Sequence, residues 1–177
     1  MHQIDDIISI FNNTFFDSFN TKLVKGKDEP IYLPADDTVD HHRIIFAHGF
    51  YASALHEIAH WCIAGPDRRL LEDFGYWYEP DGRTEMQQKE FEKVEVKPQA
   101  VEWALCAAAG KNFRVSADNL NGAEPDYQGF KNSVFEQVKT YLVDGFPVRA
   151  QQLMAALCEF YQTNIPSSEH DFVRVSP

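Results

Sequence analysis

The chain has 177 residues, 44% of them hydrophobic and 14% aromatic, so it can bury a core of its own and is most simply one domain covering residues 1–177. Its formal charge of −11 at pH 7 disfavours nonspecific nucleic-acid binding, because a phosphate backbone attracts clustered Lys and Arg. An acidic surface tolerates a cationic substrate, although an excess of acid also serves solubility alone.

Export and membrane insertion are both disfavoured. No apolar run approaches the roughly 18 residues of a membrane helix, and the chain starts with Asp5 and Asp6 where a secretory signal carries Lys or Arg. Three cysteines are scattered without a Cys-x-x-Cys pair, which argues against a disulfide framework and suits a reducing compartment. We therefore expect a cytoplasmic protein with no membrane partner.

Short elements are predicted at the start of the chain. Apolar residues recur at helical spacing over residues 4–17 and predict a helix that packs on the core. Residues 29–34 include two prolines and predict an extended segment at a sheet edge. Residues 43–47 predict a short strand or the lead-in to the next helix.

A group of acids and histidines lies in the loop between these extended segments. It comprises Asp36, Asp37, Asp40, His41 and His42. A second metal site is conceivable there, but turn-forming Asp and solvated His are the commoner explanation. His48 lies eight residues before His56, which is not the spacing of two metal ligands on one helix. It is therefore a candidate only for contact with a side chain that binds the metal.

The central feature of the sequence is the pattern His-Glu-x-x-His, formed by His56, Glu57 and His60. Apolar helix formers surround it, and Gly65-Pro66 predicts the end of the helix. Helical residues four apart lie about 40° apart around the axis and about 6 Å along it, so both imidazoles can hold one ion. Glu57 then lies to one side, within reach of a water or another ligand on the metal. The alternative is a pair of hydrogen-bonded core histidines.

An unusual run of aromatic residues follows at positions 74–78. We predict an extended segment there, closed by a turn. Side chains alternate between the faces of a strand, so half of these rings should face away from the core. Tyr76, Trp77 and Tyr78 are therefore candidates for the wall of a substrate groove, although a covered edge strand explains them almost as well.

Residues 84–110 predict two separate segments. The highly charged residues 84–97 predict a solvated helix or connector whose carboxylates have no special role. An apolar helix then starts at Pro98 and ends at Gly110, since Pro suits a first turn and Gly a C-terminal end. Glu102 is the only carboxylate of that helix, and burying it is costly unless a cation meets it. We predict Glu102 as a third metal ligand, the alternative being a solvated position beside Gln99.

The residues after Gly110 predict structural elements rather than metal ligands or catalytic groups. Helices are expected over about residues 130–143 and 148–160, separated by a Gly- and Pro-containing turn. The tail is loosely ordered or laid over the surface. The predicted fold class is α+β: a mainly helical single domain with a small sheet and a zincin-like metal-binding helix.

The ligand set leaves several functions open. Two histidines and one carboxylate leave coordination positions free, as catalysis requires. The motif alone most often indicates a zinc peptidase with Glu57 as general base. The same ligand types hold Fe(II) in mononuclear oxygenases. A noncatalytic domain stabilised by its metal is the third hypothesis.

Longer stretches carry a more specific signal. Residues 53–65, 73–83 and 99–103 closely resemble the bacterial elongation factor P hydroxylase family, and the resemblance covers nearly the whole chain. The aromatic segment is far more specific than His-Glu-x-x-His. The resemblance implies hydroxylation by dioxygen of a lysine on elongation factor P, after that lysine has been extended by β-lysylation.

The resemblance also implies roles for the site residues. The metal motif of the family maps onto His56 and His60, with Glu102 as the matching third ligand. Fe(II) is the preferred metal, with zinc or another divalent ion as the alternative. Glu57 then relays a proton or orients a bound water, since hydroxylation has no obligatory need of a hydrolytic base.

The modified lysine is long and cationic, which suits the aromatic groove. Tyr76, Trp77 and Tyr78 would hold its stem. Asp73 or Glu79 would meet one of its amines.

Overall fold

Helices dominate the structure, a computed structural model that describes residues 2–74, 81–117 and 119–173. A short 3₁₀ turn, Arg68–Leu70, follows the second helix. The helices are α1 (Ile4–Phe19), α2 (Tyr51–Ile63), α3 (Glu85–Ala108), α4 (Tyr127–Asp144), α5 (Val148–Tyr161) and α6 (Glu169–Val173), and the strands are β1 (Thr21–Lys25), β2 (Ile31–Leu33) and β3 (His42–Phe46). The prediction of a mainly helical α+β fold with a small sheet is confirmed, whereas the likeness to zincins stays a prediction.

The strands form a three-stranded sheet in the order β1-β3-β2. Strand β3 pairs in parallel with β1 and antiparallel with β2. The predicted edge position of residues 29–34 is confirmed, because Pro30 and Pro34 flank β2 and proline cannot donate a ladder hydrogen bond. Tyr32 also exchanges backbone hydrogen bonds of 2.7 and 3.0 Å with Asp73, which ties the segment after α2 to this sheet.

The buried core holds α2 in place through Trp61. Its indole is 4% exposed and lies against Phe11, Phe15 and Phe19 of α1, with ring centroids 5.2, 4.9 and 5.4 Å away. Aromatic rings packed at this range contribute stabilisation beyond the area they bury. With Trp61 fixed against α1, the histidines of α2 reach across to α3.

A left-handed turn precedes helix α2, and side-chain hydrogen bonds satisfy the carbonyls at its end. His48 and Gly49 adopt left-handed conformations with φ of 52° and 67°, and this turn redirects the chain from β3 into the helix. At its other end, Arg149 of α5 donates hydrogen bonds to the carbonyls of Cys62 and Ala64, at 3.1 and 2.5 Å. These bonds satisfy carbonyls that a helix C-terminus leaves without partners. The predicted end before Gly65-Pro66 is confirmed.

The predicted helix start at Pro98 is wrong, because α3 continues through this proline. The helix begins instead after Thr84, whose hydroxyl accepts a hydrogen bond from the Gln87 N–H while the Gln87 side chain accepts one from the Thr84 N–H. This reciprocal arrangement is a capping box. Pro98 removes one internal hydrogen bond, and packing against α2, α4 and α5 offsets that loss. Of the two alternatives predicted for residues 84–97, a solvated helix or a connector, the helix is confirmed, but its Gln88, Phe91 and Glu95 are buried.

The remaining predictions are mostly confirmed. Helices α4 and α5 match the expected positions closely, whereas β1 and α6 were not predicted. The tail, expected to be loosely ordered or laid over the surface, contains α6, and Phe172 of this helix is fully buried. In the part of the chain that the structure describes, no helix combines the length and the hydropathy needed to cross a bilayer.

Candidate metal centre

The two histidines of α2 point one nitrogen each at the same place. Their Nε2 atoms lie 3.2 Å apart, and the rings meet edge to face with centroids separated by 4.7 Å. The helical spacing of His56 and His60 brings the nitrogens together as the sequence predicted.

A carboxylate from α3 completes the group. Glu95 Oε1 lies 3.2 Å from Nε2 of His60, and Glu95 Oε2 lies 3.7 Å from Nε2 of His56. Glu95 is 1% exposed, so this contact takes place away from bulk water. The charged run over residues 84–97 predicted no special role for its carboxylates, and the burial of Glu95 with its contact to His60 contradicts that prediction.

These three side chains fit a metal ion. Nitrogen and carboxylate ligands lie about 2.0–2.2 Å from a first-row metal, so ligands at tetrahedral or octahedral angles are about 3.0–3.5 Å apart. Two of the three separations fall in that range, and the third exceeds it by a few tenths of an ångström. Among the described residues, His56, His60 and Glu95 are the group of His, Cys, Asp and Glu side chains close enough to share an ion.

Glu102 contacts the opposite side of His56. Its Oε2 lies 2.9 Å from Nδ1 of His56, and Glu102 is 6% exposed. A carboxylate at Nδ1 accepts the proton of that nitrogen and leaves the lone pair of Nε2 free for a metal. The structure therefore brings Glu102 to the site, on the nitrogen that faces away from His60.

Gln99 fixes the orientation of Glu95. Its Nε2 donates to Glu95 Oε2 at 3.2 Å and to the Ser116 carbonyl at 2.6 Å, and its Oε1 accepts the Ser116 N–H at 2.9 Å. Gln99 is fully buried, with 0% exposure. Both ends of this amide are thus occupied, so it holds Glu95 in one position.

The charges around the histidines shift their protonation. Burial lowers the pKa of His56, but the hydrogen bond and charge of Glu102, with the charges of Glu95 and Glu57, outweigh burial and raise it to about 10. Burial raises the pKa of Glu95, but the hydrogen bond and charge of His60, the charge of His56 and the Gln99 amide lower it to about 2. The buried cluster is therefore strongly attractive to positive charge.

Glu57 points into a cavity beside the cluster. This cavity is lined by Glu57, His60 and Trp61 of α2 together with Tyr32 and Ile44 of the sheet. Burial raises the pKa of Glu57, the positive charges of His56 and His60 lower it, and the charges of Glu95 and Glu102 raise it; the net shift is upward. A second cavity, between α2 and α3, is lined by His60, Glu95 and Pro98. Cavities therefore lie on two sides of His60, next to the candidate metal centre.

The predicted substrate groove stays a prediction. Tyr76, Trp77, Tyr78 and Glu79 lie outside the described residues. Asp73 lies within them and pairs with Arg68, whose Nε donates to Asp73 Oδ2. Asp73 also lines the cavity that contains Glu57. Its carboxylate is already matched by a cation, which weakens the hypothesis that it receives an amine.

The other proposed ligands have structural explanations. Asp36 Oδ1 accepts the backbone N–H groups of Thr38 and Val39, at 2.7 and 2.9 Å, which confirms the turn interpretation of the acidic loop. His41 pairs with Asp40 at 2.9 Å. His48 is exposed, and its ring lies 6.2 Å from that of Phe50.

A sequence signal for Glu95 did exist. Glu95, Gln99 and Glu102 are spaced i, i+4, i+7, which places three polar side chains on one face of a continuous helix. Thr84-x-x-Gln87 is likewise a recognisable helix start. Assigning Pro98 to a helix boundary concealed this pattern.

The chain is similar to known proteins over most of its length. A family model described as "Elongation factor P hydroxylase" matches residues 10–172. A Haemophilus influenzae protein named "Elongation factor P lysine hydroxylase" is 62% identical over 162 residues, covering 92% of this chain and 91% of that protein. The residues matched by the family model include all of α2, which carries His56 and His60, and all of α3.

Proposed function

Since the chain belongs to the elongation factor P hydroxylase family, we propose that it hydroxylates the β-lysylated lysine of elongation factor P with a non-haem metal and dioxygen. The observation that carries the proposal is the convergence of His56, His60 and Glu95 on one partly buried point, in a chain 62% identical to a protein named "Elongation factor P lysine hydroxylase". Two histidines and one carboxylate with open positions form the site with which mononuclear Fe(II) oxygenases work.

We assign the metal to His56, His60 and Glu95. Glu102, which the sequence predicted as the third ligand, acts in this proposal through the 2.9 Å contact with Nδ1 of His56. Such a carboxylate fixes the ring orientation and raises the basicity of the ligand nitrogen. The site therefore uses both acids of α3, one on each side of His56.

Fe(II) is the metal we propose, with another divalent ion as the alternative. Two histidines and one carboxylate are the ligand set of mononuclear Fe(II) oxygenases, whereas zinc has no redox chemistry. When bound, Fe(II) supplies the activation of dioxygen that oxidation of a methylene needs.

The protein itself contributes orientation and exclusion of water. Glu102 and Gln99 hold His56 and Glu95 in fixed positions, and the buried position of both acids keeps bulk water from them. Trp61, Ile44 and the Tyr32 ring provide apolar surface beside His60, suited to the methylenes of a lysine stem. On the basis of the sequence, our proposal also assigns Tyr76, Trp77 and Tyr78 to binding of the lysine stem.

Family membership favours hydroxylation over peptide hydrolysis, the other function that the motif allows. A zinc peptidase would use Glu57 to take a proton from a metal-bound water. The two functions differ in their need for oxygen, so they are readily separated.

The test is turnover of purified elongation factor P. Each hydroxylation inserts one oxygen atom into a C–H bond and reduces the other to water, consuming two electrons from an added reductant. Protein loaded anaerobically with Fe(II) should consume oxygen and add one oxygen atom to β-lysylated elongation factor P, as measured by mass spectrometry. Peptide cleavage by the zinc-loaded protein, without oxygen-dependent modification, would contradict the proposal.

A further inference from the structure

The cavity beside His60 contains the carboxylate of Glu57. Among the described residues, the structure records no hydrogen bond or ion pair for the Glu57 carboxylate, although Glu57 is only partly exposed and lines the cavity. A carboxylate withdrawn from water without a partner is costly. A cationic ligand that enters the cavity would give this carboxylate the partner that it lacks among the described residues.

The two arginines of this cavity already have contacts within the protein. Arg68 pairs with Asp73. Arg69 donates to the Ala64 carbonyl at 2.9 Å, and its guanidinium lies 5.6 Å from the Phe19 ring. Of the described carboxylates that line the cavity, Glu57 is thus the one available to a cation from outside.

The rest of the cavity suits an alkyl chain rather than a hydrated ion. Ile44, Trp61 and Ala64 present hydrocarbon surface, and Tyr32 adds an aromatic ring whose hydroxyl is engaged by the Arg69 carbonyl at 2.8 Å. Methylenes bury favourably on such surfaces while a terminal ammonium seeks an acid. An aliphatic chain ending in an ammonium matches both features.

We propose that Glu57 is the receptor for an ammonium group of the modified lysine and so determines specificity for the charged extension. This inference rests on the proposed function. A β-lysyl group adds two ammonium groups to a lysine, and Glu57 adjoins His60 in the same cavity, so one ammonium pairs with Glu57 while the stem lies beside the metal ligands. Asp73, which the sequence suggested for this role, is held by Arg68.

The test measures binding with an inert metal. Zinc-loaded protein is titrated with β-lysylated and with unmodified elongation factor P, using the wild type, Glu57→Gln and Asp73→Asn. Removing one charge-assisted hydrogen bond should weaken binding of the β-lysylated form by Glu57→Gln about tenfold. Binding of the unmodified form should change much less, and zinc affinity should be retained.

Steady-state kinetics separate this role from a role in the chemical step. With Fe(II), Glu57→Gln should raise KM for β-lysylated substrate more than it lowers kcat. A loss confined to kcat with unchanged substrate affinity would overturn the inference and assign Glu57 to a metal-bound water. A larger binding loss in Asp73→Asn than in Glu57→Gln would overturn it as well.

A small probe distinguishes this inference from the proposed function. Binding of 1,5-diaminopentane and of the neutral 1,5-pentanediol to zinc-loaded protein is compared by NMR titration. Diamine binding that is lost in Glu57→Gln supports the ammonium site even if elongation factor P is not hydroxylated, which would then contradict only the function. Equal binding of diamine and diol would overturn the ammonium site.

Discussion

Glu95 and Glu102 approach opposite nitrogens of one imidazole. Glu95 Oε2 lies 3.7 Å from Nε2 of His56, and Glu102 Oε2 lies 2.9 Å from its Nδ1. The two acids are two helical turns apart on α3, so one rigid helix sets both contacts. This arrangement gives the acids different roles: one faces the shared point of the histidines, and the other orients the ring.

Replacing Gln99 should weaken the metal site without touching a ligand. Gln99→Leu removes the hydrogen bond to Glu95, and loss of such a supporting contact typically lowers metal affinity about 10–100-fold. Isothermal titration with Zn²⁺ or Co²⁺ measures the change. Gln88→Leu is a matched control, because Gln88 is a buried amide of the same helix bonded to Arg83 and to the Ala117 carbonyl. Equal affinity losses in both variants would contradict a specific role for Gln99.

The metal-free protein should lose stability as the pH rises above neutrality. The pKa of His56 in the folded protein is about 10, against an ordinary 6.5, so protonated His56 stabilises the fold fully below pH 6.5. That contribution is lost as the pH rises from 6.5 through about 10. Thermal unfolding of chelator-treated wild type and His56→Gln should show a steeper decline for the wild type. Parallel curves would contradict the raised pKa.

Removing Arg149 should destabilise the fold. Arg149→Met leaves the carbonyls of Cys62 and Ala64 without its hydrogen bonds and removes the stacking of its guanidinium 4.5 Å from the Trp61 ring. We expect a loss of about 1–3 kcal/mol in the free energy of unfolding, measured by urea denaturation. The exposed Arg114 offers a control, since Arg114→Met should change it by less than about 0.5 kcal/mol.

Metal binding should stabilise the folded state. A ligand that binds only the native protein adds about 2.7 kcal/mol at one hundred times its Kd. Calorimetry should therefore show a lower unfolding temperature after chelation and full recovery when Fe(II) or Zn²⁺ is restored. In His60→Ala the unfolding temperature should respond little to either treatment, and a wild-type shift in that variant would place the metal elsewhere.

Local patterns predicted much of this fold. The apolar spacing of residues 4–17 and the pattern of 148–160 each sufficed to predict a helix, because one face of each packs on the core. His56 and His60 converge because four-residue spacing places side chains on one face of a helix. Such features depend on neighbours along the chain, so they are visible without a structure.

The features that the sequence did not predict depend on contacts between residues far apart in the chain. Strand β1 contains two lysines in five residues, and its pairing with β3 joins segments far apart in the chain. Glu95 was missed because Pro98 normally marks a helix boundary, whereas packing of α3 against α2, α4, α5 and α6 keeps it continuous. The pairing of Glu102 with Nδ1 rather than Nε2 of His56 depends on the separation of α2 and α3, which no sequence spacing reports.

Anaerobic metal titration of Glu95→Gln beside Glu102→Gln tests the central claim most directly. Glu95→Gln removes a proposed ligand, so the affinity for Fe(II) should fall by more than about 100-fold. Glu102→Gln removes only a contact to a ligand, so the affinity for Fe(II) should fall by about 10–100-fold. Circular dichroism checks that both variants are folded. Retained affinity in Glu95→Gln together with abolished binding in Glu102→Gln would contradict the assignment of Glu95 as the third ligand.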